Sequence, residues 1–215
     1  MPHPNRVTPF GAFEATPARG SLTGNRGVLH DAAGVIGRAR WRHPHWIACA
    51  LSYQGWRRRI LQPGRWTELF FLDEATAFAA GHRPCALCRR ADYQRFRQAW
   101  AFAEAAAGPL SAAAMDAALH AARLTDRRPR RQRIWERPGA DLPDGTMVAL
   151  PDEPGAAWLL WHGGLHRWRH DGYGARRAVP PGDVAVITPR PVVAAFAAGY
   201  RPAVHESALT APASP

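Results

Sequence analysis

The sequence predicts an α+β fold in which two related hairpin, strand and helix modules are joined by a helical segment. Three observations predict it. Short β-branched and aromatic runs, bounded by glycine turns, alternate with alanine-rich stretches of helical period. The segment Phe78-Ala79-Ala80-Gly81-His82-Arg83-Pro84 returns as Phe196-Ala197-Ala198-Gly199-Tyr200-Arg201-Pro202, with six of seven letters kept, 118 residues on. In both places it follows a hairpin and a strand and closes a short helix. Two alanines in register are cheap in this composition; Gly-aromatic-Arg-Pro after Phe is not, so the pattern reads as a duplicated module.

Residues 1–26 are rich in Pro, Gly and Thr, show no period, and predict a flexible arm. The first module spans 27–108. Val28–His30 and Val35–Ile36 flank a turn, and Trp46–Tyr53 reads as a buried strand returning through Gln54-Gly55 to Trp56–Ile60. Glu68–Leu72 is the next strand. Asp73 is placed to cap a helix that runs to Ala80 and stops at Gly81. A longer helix is expected from about Cys85 to Ala107, with Tyr93, Phe96, Trp100 and Ala103 in period. Residues 109–140 hold a helix opened by Ser111, then a basic linker with five arginines between Arg127 and Arg133. Residues 141–206 form the second, degenerate module. Its hairpin is Trp158–Trp161 with Leu165–Arg169, its strand Val184–Ile187, and its helix, with Thr188 as a cap, ends at Ala198. The tail, 207–215, is expected to fray.

The 215 residues suffice for one large domain or two small ones, with a core that needs no covalent staples. Three cysteines cannot build a paired disulfide framework. All 28 basic residues are arginine. The absence of lysine excludes P-loop chemistry, Schiff-base enzymes and nuclease sites that need a catalytic lysine. The formal net charge is +11. Guanidinium forks match phosphate oxygens, which points to nucleic acid or another polyanion. A GC-rich genome would explain arginine over lysine, but not the excess charge. No apolar run approaches the roughly 20 residues of a membrane span, and the N-terminus has no apolar signal core, so a cytoplasmic protein is expected.

Cys85-Ala86-Leu87-Cys88 is a C-x2-C pair that can present two thiolates to one metal. Cys49, on the buried strand, can supply a third. The second module carries Ala203, Glu206 and Trp158 where the first has Cys85, Cys88 and Cys49. Loss of all three together is what a single working unit predicts. A tetrahedral zinc needs a fourth ligand; His45 gives H-x3-C with Cys49, and His30, His43 and His82 are rivals. His82 also reads as the aromatic spacer that Tyr200 is in the other copy. A redox pair at Cys85 and Cys88, or three plain core cysteines, are the other readings.

The stretch from Leu69 through the Glu74-Ala75 helix and Gly81-His82-Arg83-Pro84 to Cys85-Ala86-Leu87-Cys88 resembles the metal-binding domain of Ada-type DNA methylphosphotriester repair proteins. The resemblance covers residues 40–95 and maps the family's upstream C-x3-C pair onto His45 and Cys49. It implies one structural Zn2+ in a small α/β module that touches DNA backbone. It does not imply repair, because the family's methyl-accepting cysteine is His45 here, and no Pro-Cys-His-Arg alkyltransferase motif is present. As a whole the chain resembles uncharacterised bacterial proteins of its length, which implies no function.

Arginines interleave with aromatics at Arg40-Trp41-Arg42, Trp56-Arg57-Arg58-Arg59, Arg65-Trp66, Arg89-Arg90 with Tyr93, and Arg167-Trp168-Arg169. Arg57, Arg59, Arg89 and Arg90 are the expected phosphate contacts, with DNA ahead of RNA as partner. The competing reading is core tryptophans with arginines snorkelling around them. Asp116 and His120 share a helix face with Arg123, which is either a general-base pair or a surface ion ladder. His162, His166 and His170 with Asp171 form a second histidine group. The sequence therefore predicts a zinc-containing nucleic-acid-binding protein. A metal-dependent DNA-modifying or hydrolytic enzyme and a zinc-stabilised protein-interaction scaffold are the alternatives.

Overall fold

A computed structural model describes residues 1–56, 59–126 and 130–210. Its architecture is α+β, with two six-stranded sheets and five helices among the described residues. The first sheet uses β1 (Arg6–Val7), β2 (Phe13–Glu14), β3 (Leu22–Asn25), β4 (Ile47–Ala50), β5 (Leu69–Phe71) and, after helix α1 (Glu74–Ala79), β6 (Arg83–Pro84). Their spatial order is β2-β1-β5-β3-β4-β6. Helices α2 (Arg90–Ala103) and α3 (Ala112–Arg123) follow. The second sheet uses β7 (Trp135–Pro138), β8 (Met147–Leu150), β9 (Glu153–Trp161), β10 (Gly164–Arg169), β11 (Gly172–Ala178) and β12 (Asp183–Val186), in the order β11-β10-β9-β8-β12-β7. Helix α4 (Arg190–Ala197) and the short α5 (Ser207–Thr210) end the described chain. No helix among the described residues is long and apolar enough to cross a membrane.

The first 26 residues correct the expectation of a flexible arm. They supply β1, β2 and β3, and β3 lies between β5 and β4 inside the sheet. The glycines that made this stretch look loose are close approaches. A Cβ at Gly20 would fall 2.1 Å from the Phe71 carbonyl oxygen, and one at Gly24 2.5 Å from that of Ile47. Only glycine lets those backbones meet. Of the tail, Ser207–Thr210 form α5, which buries Ala208 against the second sheet, and residues 211–215 lie outside the described residues.

Local capping follows the sequence. Asp73 Oδ1 accepts from the Thr76 amide at 2.8 Å, and Ser111 Oγ accepts from the Ala114 amide at 3.2 Å. Thr188 is not a cap: its hydroxyl accepts from the Met147 amide at 2.9 Å, and Pro189 holds the cap position of α4. The predicted long helix starts at Arg90 rather than Cys85 and ends at Ala103, so Cys85–Arg89 form a turn ahead of it. The return of the first hairpin is a single Tyr53–Trp56 bridge, with Arg57 and Arg58 outside the described residues.

Both copies of the repeated segment show strand, short helix and a left-handed glycine, Gly81 at φ 85° and Gly199 at φ 101°. The sheets around them are wired differently. β5 pairs parallel with β1 and antiparallel with β3, whereas β12 pairs antiparallel with β7 and β8. The copies meet face to face: Phe78 and Phe196 pack edge-on at 5.3 Å within an aromatic cluster that includes Phe96, Trp100 and Tyr200. A further core joins Leu72, Ala75 and Ala79 to Met147, Leu159 and Ile187 of the second sheet. Each large apolar side chain buried there contributes about 1.5–3 kcal/mol.

Polar bonds reinforce this junction. Asp73 Oδ2 accepts from the Tyr173 hydroxyl and the His205 amide, at 2.7 and 2.9 Å. Glu74 accepts from Arg89 Nη2, the Tyr200 hydroxyl and the Ala203 amide, at 2.5, 2.8 and 2.8 Å. Both acids are buried, so every acceptor lone pair left empty would be expensive, and these donors fill them.

Candidate metal centre

Sheet pairing assembles the cysteines. β4 runs parallel to β6, with Ile47 opposite Arg83 and Ala48 opposite Pro84. The Cys85 amide extends that pairing by donating to the Ala48 carbonyl at 2.9 Å. Cys49 is thereby set beside the Cys85–Cys88 turn. The three sulfurs lie within 4.8 Å of one another, half-buried and unlinked by disulfides. A tetrahedral zinc with bonds of about 2.3 Å sets its sulfurs about 3.8 Å apart, a spacing inside the 4.8 Å limit of this cluster.

Backbone amides already face the sulfurs. Ala50 N–H points at Cys88 Sγ and Leu87 N–H at Cys85 Sγ, both at 3.4 Å. The Cys49 thiol and then the amides of Cys88 and Leu87 hold Cys85 down to about 5, against the opposing effect of desolvation. Cys49 moves up, first through its bond to Cys85 and then through burial, and burial also raises Cys88. Thiolate character thus concentrates on Cys85, which suits a soft-metal ligand.

No fourth ligand joins the three among the described residues. His45 is not brought to them. It lies ahead of β4, outside the group of three, and its Nδ1 is 2.8 Å from Asp116 Oδ2. The rivals are placed elsewhere as well. His30 bonds Thr67 Oγ1 at 2.6 Å. The His43 ring packs against His45 at 5.7 Å. His82 is fully buried between Phe71 and Trp46, with Nε2 accepting from Arg26 Nε at 3.3 Å. Burial, then the charges of Arg26 and Arg123, push His82 well below its usual value, so its ring is neutral.

The Asp116–His120 pairing does not form. Asp116 takes both Arg83 Nε and Nη2, at 2.7 and 2.8 Å, as well as His45. His120 faces Arg123 Nη2 at 2.8 Å instead. The later histidines scatter: His162 lies near Asp144 at 3.7 Å, His170 bonds Glu14 at 2.8 Å, and His166 is buried.

Of the expected phosphate contacts, Arg59 and Arg90 are exposed, and Arg57 lies outside the described residues. Arg89 is corrected: it is buried and bonded to both Glu74 and Asp92, because its turn is anchored on the acid behind it. Burial alone would lower its affinity for a proton, but Glu74 and then Asp92 hold it above its ordinary value.

Sequence reasoning missed two buried arginines. Arg26 and Arg123 are 2% and 1% exposed, and their guanidinium carbons lie 4.0 and 3.8 Å over the ring of Trp46. A helix stripe of Met115, Leu119 and Ala122 gave no reason to bury Arg123, and Arg26 sat in the stretch read as an arm. No protein-family model matches the chain, nor does any curated protein or any solved structure.

Proposed function

We propose that the protein is a zinc-containing nucleic-acid-binding protein, related in plan to the metal-binding domain of Ada-type proteins. The observation that carries the reading is the convergence of Cys49, Cys85 and Cys88 on one point. Soft thiolates with facing amides suit Zn2+. The metal would tie the edge of the first sheet to the turn that opens α2. The partner is supported by the +11 charge and by the free, exposed arginines nearest the cysteines in sequence, Arg59 and Arg90. DNA stands ahead of RNA on the Ada resemblance.

Elemental analysis of untagged protein, with thiol titration before and after a chelator, tests the metal. One zinc per chain, and thiols released only on chelation, is the expected result. Three freely reactive thiols and no metal, in protein purified without chelator, overturn it. Binding of duplex DNA across a salt series tests the partner. Arg90→Ala should lower the magnitude of the salt slope by about one; binding insensitive to salt refutes the backbone reading.

One observation favours a second reading. Three protein ligands leave a tetrahedral metal one open position, the arrangement of catalytic rather than structural zinc. In that reading the protein is a metal-dependent DNA-modifying or hydrolytic enzyme. Turnover of a DNA substrate by the zinc-loaded chain, absent after Cys85→Ser, separates it from the binding reading.

A further inference from the structure

At the C-terminal end of α3 lies a cavity of about 230 Å³, lined among others by Phe10, Arg26, Arg40, Trp41, Trp46 and Arg123. It is lined by arginines and aromatic rings, and no carboxylate is among its lining residues. Arg40 stands at the exposed rim, while Arg26 and Arg123 form the floor.

Two buried cations with no carboxylate on either of them are unusual, because a charge taken out of water needs a counter-charge. Arg26 is held by neutral acceptors only: His82 Nε2 at 3.3 Å, the Gly11 carbonyl at 3.2 Å and the Ala80 carbonyl at 3.3 Å. Arg123 likewise bonds the Gly81 and Pro44 carbonyls, at 2.8 and 2.6 Å, and His120 Nδ1. Its Nε is buried without a partner. The nearest acid that acts on Arg123 is Asp116, whose two oxygens are already taken by Arg83 and His45. Burial pushes both guanidiniums down, Arg123 to about 9, and for Arg26 the like charges of Arg123 and Arg40 add to the effect. Both remain cations at neutral pH.

The fold makes room for this arrangement. A Cβ at Gly81 would lie 2.5 Å from Arg123 Cδ, so the glycine of the repeated segment is also the gap through which Arg123 passes. Trp46 lies under both guanidiniums and holds them by cation–π contact. Neither arginine serves the cysteine cluster.

The geometry points to a phosphomonoester site. Arg26 and Arg123 supply the charge that a dianionic phosphate needs, and the donors left over from their protein acceptors include the second Nη1 and Nη2 protons of Arg26 and the Nε proton of Arg123. Phe10 and Trp41, both half-buried in the lining, offer aromatic faces to a planar base whose ribose carries the phosphate. The cavity is below the ~300 Å³ floor of ordinary small-molecule pockets, so it encloses only the phosphate-bearing end of a nucleotide, with the rest of the ligand lying at the rim. The shared chemistry is a terminal phosphate next to an aromatic base. Its source is either a free mononucleotide or the 5′-phosphate of a strand. This inference does not rest on the zinc or on backbone binding elsewhere.

The test uses the full chain, calorimetry and thermal stability, with 5′-AMP and adenosine as probes. AMP should bind, raise the melting temperature, and bind about tenfold or more tightly than adenosine, the loss expected for charge-assisted hydrogen bonds. Arg123→Gln, checked for folding by circular dichroism, should lose that preference. Arg40→Ala removes only an exposed rim charge and should weaken AMP about threefold, so it decides the matter if Arg123→Gln does not fold. AMP binding no tighter than adenosine, or unchanged affinity in the folded variants, overturns the site. Competition by a 5′-phosphorylated oligonucleotide, but not its 5′-hydroxyl twin, assigns the phosphate to a strand end. Competition by neither assigns it to a free mononucleotide. Equal competition by both means internal phosphates are being read, and overturns the proposal.

Discussion

Replacing Glu74 should show that Arg89 is a structural cation. The Glu74 carboxylate is buried and accepts from Arg89 Nη2, the Tyr200 hydroxyl and the Ala203 amide. Glu74→Gln replaces one acceptor oxygen by a donor and removes the charge. A charge-assisted hydrogen bond contributes about 1.5–3 kcal/mol, and stranding a buried charge costs about 3–5 kcal/mol. Arg89 keeps Asp92 at 2.8 Å, a partner that is itself 29% exposed, so the strandedness is partial. The expected loss is therefore about 3 kcal/mol. Urea unfolding followed by tryptophan fluorescence reads it as a lower midpoint at unchanged slope. A cycle with Arg89→Met should give a coupling of about 1–2 kcal/mol, with the double variant recovering part of the loss. If Glu74→Gln shifts stability by less than about 0.5 kcal/mol, or if the two substitutions are additive, the buried-pair argument fails and Arg89 is again available to a ligand.

Three further outcomes follow from the geometry. Cys49→Ser should lower zinc content and unfolding midpoint together, measured by elemental analysis and urea titration; full zinc occupancy in this variant would remove Cys49 from the site. His82 is neutral in the fold and titrates at about 6.5 when unfolded, so only the unfolded chain gains its proton as pH falls below that value. Its share of stability is complete above pH 6.5 and is lost on acidification at up to about 1.4 kcal/mol per pH unit. His82→Gln, which keeps an acceptor for Arg26, should flatten that part of a stability–pH curve, and an unchanged curve would refute it. Gly81→Ala places a Cβ at φ 85° and 2.5 Å from Arg123 Cδ, whereas Gly199→Ala meets nothing within 4 Å. Both pay the left-handed penalty of about 1–2 kcal/mol, so Gly81→Ala should be clearly the more destabilised in thermal denaturation; equal losses would mean Arg123 moves aside freely.

Much of the strand and helix plan was legible because it rests on local chemistry. Asp73 and Ser111 are short acceptors ahead of periodic apolar residues, and each caps as its spacing predicts. The cysteines could be grouped because the second copy lacks all three. The β3 strand was hidden, since Gly20 and Gly24 look like loop residues unless one knows which backbones press against them. His45 was misplaced because it lies ahead of β4, where its ring is turned to Asp116, a residue 71 positions away that no local spacing reveals. Arg26 drew no reading at all, Arg89 was read as a phosphate contact and Arg123 as part of a general-base pair or a surface ladder, because no local pattern announces a buried arginine. Their partners, Trp46, Glu74 and a row of carbonyls, come from remote parts of the chain.

The buried pair Asp73–Glu74 belongs to the first module, yet four of its donors, Tyr173, Tyr200, Ala203 and His205, belong to the second. Arg89, the next residue after Cys88, hangs from the same carboxylate. The chain therefore cannot be cut in the basic linker into a cysteine-bearing piece and a spare. A fragment ending near residue 108 would keep all three cysteines while exposing the anchor behind them. Changes around Ala203, far along the chain from any sulfur, would reach the thiolates through two hydrogen bonds. The two halves are mutually dependent, because the acids of one are satisfied by donors of the other.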